Sequence, residues 1–109
     1  MKVFNKLVRD KIPTIINQNG DSCVTRTLNT KEFKIAALKK IVEESHEVLG
    51  AAGSRAELIK ELADLKEITE AVMKVYGISP SEVSKVKSKR KKERGGFDKR
   101  IFLLKTSNK

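Results

Sequence analysis

A chain of 109 residues fits one domain, and at this length it buries roughly two-thirds of its unfolded surface, so its core must be thin. With 39% hydrophobic and 35% charged residues, no Trp, one Tyr and one Cys, it is globular; an internal disulfide and a cysteine zinc site are excluded, and the spare apolar helix edge points to self-association. The net charge of +10 calls for an anionic partner, whether nucleic acid, nucleotide or acidic surface, and no stretch approaches the ~18 apolar residues of a membrane span.

The N-terminal MKVFNKLVRDK has no continuous apolar run, so it does not read as a signal peptide, and the lone Cys23 suits a reducing compartment. A soluble, cytoplasmic protein is expected. Residues 3–8, VFNKLV, are short and mixed. Arg9 to Asn17 reads as a short helix with Pro13 in its first turn. Gln18 to Asp21 is a turn signal, and Ser22 to Asn29 is extended or loop. Thr30 is the expected N-cap of a helix running to about Leu49, with Phe33, Ala37, Leu38, Ile41, Ser45, Val48 and Leu49 at helical spacing. Gly50 to Gly53 ends it. Ser54 and Glu57 form a capping box for the next helix, whose stripe is Leu58, Leu62, Leu65, Ile68, Val72, Met73 and Val75, stopped by Gly77. Ser79-Pro80-Ser81-Glu82 starts a third long helix ending near Glu93, and Gly95-Gly96 breaks it. Residues 101–105, IFLLK, read as a short strand or as an extended tail packed on the helices. No repeat or linker divides residues 1–109, which read as a single domain. The expected class is all-α: an antiparallel helical hairpin plus a third helix, its core completed as a four-helix bundle in a homodimer or higher homo-oligomer.

The hairpin concentrates acids. Glu43-Glu44-x-x-Glu47 ends the first long helix, and Glu61-x-x-Asp64 lies near the start of the second. At ~100° per residue, positions i and i+3 share a face, so Glu44 projects with Glu47 and Glu61 with Asp64. Folding about Gly50 to Gly53 brings Glu44 opposite about Glu61, and Glu47 opposite Glu57 or Leu58. Four carboxylates then converge, and a hard divalent cation, Mg²⁺ with Mn²⁺ as substitute, is the natural relief of their repulsion. A solvated, salt-bridged face is the competing explanation. It predicts opposite charges at i,i+4, as in Glu70 and Lys74, whereas Glu43–Glu47 and Glu57–Glu61 are like-charged.

EESHE, thirteen residues, then ELAD resembles the E-E-x-x-E and E-x-x-D pattern of the MazG-like all-α nucleotide pyrophosphohydrolases. FNKLVRDKIP at 4–13 and KRKKERGGFDKRIFL at 89–103 look like the terminal signatures of a phosphoribosyl-ATP-pyrophosphohydrolase-like subgroup. The resemblance implies metal ligation by Glu44, Glu47, Glu61 and Asp64, with Glu43 supporting them or acting as base. It implies cleavage between the α and β phosphates of a nucleotide, giving a monophosphate and pyrophosphate. Ordinary, deoxy and damaged nucleotides and phosphoribosyl-ATP all present the same phosphates.

Several cations are candidates for the phosphate chain. Lys85 to Arg94 holds seven basic residues and one acid, and Arg90, Lys92 and Arg94 are the expected clamps, beside glycines that let backbone amides approach an anion. Lys40, Lys6 and Arg9 are further substrate-side candidates, with a structural Arg9–Asp10 pair as the alternative. A basic helix that binds nucleic acid explains the charge but not the clustered acids, which repel a phosphate backbone. A purely structural assembly subunit explains the apolar stripes but not the like-charged pairs. His46 is expected at the surface, Cys23 is expected to be inert, and Phe33, Phe97 and Phe102 are expected in the core.

Overall fold

The computed structural model describes residues 2–107, and all regular structure among them is helical: α1 (Ile12–Gln18), α2 (Thr30–Gly50), α3 (Arg55–Val75) and α4 (Pro80–Arg94). The chain forms two compact units, one running to Ile78 and the other from Ser79 onward. No helix among the described residues is long and apolar enough to cross a membrane.

α1 begins at Ile12, not at the expected Arg9. Pro13 lacks an N–H and its ring crowds the preceding turn, so the helix can hold it only at its very start. Arg9 is thereby left in non-helical chain, its carbonyl accepting from the Ile12 amide at 3.0 Å.

α2 is capped by Asn29 in place of the expected Thr30. The Asn29 side chain accepts from the Glu32 amide at 2.8 Å, and the Glu32 carboxylate accepts from the Asn29 amide at 3.2 Å. This reciprocal pair needs a Glu three residues after the cap; Asn29 has it, whereas Thr30 is followed by Phe33. Arg26 forks onto the same carboxylate at 3.0 and 3.2 Å and ties down the preceding loop. These contacts, the Arg26 hydrogen bond first, hold the Glu32 carboxyl below its ordinary pKa.

Ser54 caps α3 as expected, accepting from the Glu57 amide at 3.3 Å. Only half of the expected box forms, because the Ala51 carbonyl takes the Ser54 amide at 3.1 Å. Gly77 ends the helix at φ +68, with its amide on Lys74 O at 3.2 Å and the Ile78 amide on Met73 O at 2.8 Å, a Schellman closure. In the second unit, Ser79 and Glu82 form both halves of the box that opens α4.

α2 and α3 pack antiparallel about the Ala51–Gly53 turn. Near their far end the Lys34 ammonium lies 4.9 Å from the centre of the Tyr76 ring. Ala37 is fully buried, and Leu58, Leu65, Ile68 and Val72 are half-buried. Leu38, Leu49 and Leu62, expected inside, are exposed. One partner helix covers only one side of an apolar arc this wide, so its flank stays outside.

The C-terminal expectations need larger correction. Phe97 is 96% exposed and Phe102 is also exposed, so neither is core; Phe33 is half-buried. Residues 101–104 form no strand and are exposed rather than packed. A strand needs a neighbour for its amides and carbonyls, and none exists among the described residues.

Candidate functional site

The hairpin sets the register of the acids. Glu44 lies six residues before the last residue of α2, and Glu61 six after the first of α3, so closing the turn brings them level. Carboxylate oxygens of Glu44, Glu61 and Asp64 all lie within 4.8 Å of one another. Glu44 is only 9% exposed, an unusual depth for a carboxylate. The Glu61 pKa is raised, first by loss of hydration and then by the charges of Asp64, Glu44 and Glu47, with Lys60 opposing in part. Three crowded carboxylates, one of them with its proton affinity raised, are the donor set that suits a hard divalent cation.

Glu47, the fourth expected ligand, stands outside this trio. It lines a shallow, open depression with Gly50, Ala51, Glu57 and Glu61, and its charge acts on Glu61 from there. Glu57, which the sequence places opposite Glu47 and in a like-charged pair with Glu61 but outside the expected site residues, lines the same depression.

Cations surround the acids. Lys40 is 16% exposed and lies 3.0 Å from Glu43 and 3.6 Å from Glu44. Lys6 reaches Glu43 at 3.3 Å. Arg9 pairs not with Asp10 but with Asp64, Nη2 to Oδ1 at 2.8 Å. The structural alternative for Arg9 therefore had the wrong partner, and the N-terminal segment comes to the site. For Glu43, burial raises the pKa, but the hydrogen bonds and charges of Lys40 and Lys6 outweigh it and the net shift is downward.

Arg90, Lys92 and Arg94 belong to α4 in the second unit and are exposed. His46 is exposed and Cys23 is a free thiol, half-buried.

The family model described as phosphoribosyl-ATP pyrophosphohydrolase matches residues 4–91. That span takes in every acid and cation of the hairpin site and stops short of Lys92 and Arg94. No curated protein and no solved structure is significantly similar to the chain.

Proposed function

The chain belongs to the phosphoribosyl-ATP pyrophosphohydrolase family, and from that premise we propose that it hydrolyses a nucleotide between the α and β phosphates, releasing a monophosphate and pyrophosphate. In this reading Glu44, Glu61 and Asp64 hold a divalent cation, Mg²⁺ or Mn²⁺, and Glu47 completes the set from the solvent edge. The observation that carries it is the convergence of three carboxylates within 4.8 Å on facing helices, with the Glu61 pKa raised by loss of hydration and by the neighbouring charges. When bound, the cation neutralises phosphate oxygens and makes a water a better nucleophile.

The chain's own residues orient and balance charge. Glu43 tethers Lys6 and Lys40, and a carboxylate holding two ammonium groups is a weak proton acceptor, so its role is to organise those cations. Lys40 lies between Glu43 and Glu44, fixing the rotamer of a ligand and limiting its repulsion. Lys6 and Arg9 offer donors to a phosphate chain with a net negative charge, and Lys40 adds to the local positive potential. Arg90, Lys92 and Arg94 are proposed phosphate contacts on sequence grounds.

The family match favours phosphoribosyl-ATP within a panel of ordinary, deoxy and damaged nucleotides. The deciding experiment incubates each with the protein and Mg²⁺ and identifies both products. A monophosphate plus pyrophosphate is expected from at least one. Orthophosphate from a triphosphate would mean a different reaction, and no turnover of any substrate with Mg²⁺ or Mn²⁺ would remove the reading.

A further inference from the structure

We propose that Arg9 is an exchangeable counter-ion: it neutralises Asp64 until a divalent cation takes that carboxylate, and then turns its guanidinium to the substrate's phosphates. This rests on the metal reading above and adds to it a coupling between cation and phosphate binding.

Three observations carry it. First, Arg9 Nη2 lies 2.8 Å from Asp64 Oδ1, and Asp64 is one of the three converging carboxylates. The partners are 55 residues apart, so their meeting is made by the fold and not by helical spacing. Second, the arginine has room to move. Its side chain is 58% exposed, and it leaves a non-helical segment between Asn5, in the left-handed region at φ +46, and the start of α1. Third, its situation differs from that of Lys40, which is 16% exposed and held between two glutamates of its own helix. Lys40 is built in; Arg9 is laid on.

The chemistry follows. A half-exposed ion pair is weak and easily surrendered. A guanidinium and a divalent cation sharing one carboxylate repel each other, so cation entry loosens the Arg9 bond. The released fork has five donors in a plane that matches two phosphate oxygens. Arg9 therefore opposes the cation alone and favours cation and phosphate together, and such coupling is reciprocal.

The test uses calorimetry on the full chain with two probes: Mn²⁺ alone, and pyrophosphate in excess Mg²⁺. Arg9→Gln is expected to bind Mn²⁺ about two- to fivefold tighter, the range an exposed ion pair allows, and to bind pyrophosphate at least about fivefold more weakly. Arg9→Lys, which keeps the charge without the fork, should leave Mn²⁺ affinity near wild type and still weaken pyrophosphate. Melting in EDTA checks that each variant is folded. If Arg9→Gln leaves Mn²⁺ affinity unchanged or lowers it, the exchange is overturned while the metal site stands. If neither wild type nor Arg9→Gln binds Mn²⁺, the metal reading falls and the exchange with it.

Discussion

Glu61 and Glu43 lie on facing helices of one hairpin and are pushed in opposite directions, one raised by loss of hydration and then by neighbouring acids, the other lowered by lysines that outweigh its burial. Each shift fixes a sign. A carboxyl with a raised folded pKa opposes folding when ionised, and that penalty fades as pH falls through the raised value. Glu61→Gln should therefore melt higher than wild type at pH 7 in EDTA, with the gain vanishing near the ordinary glutamate value of about 4.3. A carboxyl with a lowered pKa stabilises above its unfolded value and loses that contribution as pH falls through the lowered one. Glu43→Gln should melt lower than wild type at pH 7, with the deficit also vanishing in acid. With Mg²⁺ present the Glu61→Gln gain should reverse, since only wild type keeps the full ligand set, and turnover should fall by at least ~10²-fold. Differences of the same sign for both variants would remove the opposed electrostatics from the account, and full activity in Glu61→Gln would remove Glu61 from the ligand set. The convergence of Glu44, Glu61 and Asp64 was legible in the sequence because helical spacing assigns a face to each and a glycine-bounded turn assigns their register, whereas the same reasoning placed Glu47 with them and it stands apart. The Arg9–Asp64 pair was not, because no periodicity links a loop residue to a helix 55 positions away.

Among the elements, the caps give the clearest lesson. Serines at 54 and 79, the proline at 80 and the glycine at 77 mark α3 and α4 where the sequence places them, because the serines accept from orphan amides, the proline has no amide to leave orphaned, and the glycine takes the positive φ that closes the last carbonyls. The start of α2 was misplaced by one residue because both Asn29 and Thr30 can cap, and only the position of Glu32 distinguishes them. Asn29→Ala should therefore cost about 1 kcal/mol, measured by denaturant unfolding. Thr30→Ala should change stability by a few tenths at most. Equal losses would mean that the cap is not where the hydrogen bonds place it. The start of α1 was misread for a different reason: Pro13 was allowed in the first turn, but the turn was drawn too far upstream. The segment at 101–104 was beyond local reasoning, since its β-rich composition specifies a strand only when a partner strand exists.

Taken as a whole, the molecule carries +10 in charge and leaves much apolar surface uncovered, and each has a measurable consequence. Replacing Arg90, Lys92 and Arg94 by Ala should weaken nucleotide affinity at low salt and by less at high salt, where the Debye length shortens to a few ångströms. Unchanged hydrolysis with lost DNA binding, and a flatter salt dependence of that binding, would assign α4 to nucleic acid instead. The apolar surface bears on assembly. Ile35, Leu38, Val42 and Leu49 stand at spacings of three, four and seven along α2, the period of a helix–helix seam, yet Leu38 is 45% and Val42 58% exposed. Covering such a side chain fully is worth ~1.5–3 kcal/mol relative to exposure, so completing this half-covered stripe is worth several in total. A second copy related by a two-fold axis would meet the stripe with itself and complete a four-helix bundle. Wild type should therefore sediment as a dimer or larger at micromolar concentration, with a melting temperature that rises with concentration. Leu38→Glu with Val42→Glu places like charges in that seam and should give a monomer whose melting temperature is lower and independent of concentration. A wild type that sediments as a monomer at 10 µM, on the order of the micromolar range at which such a seam should hold, and melts no higher than the double variant would show that the stripe is simply exposed.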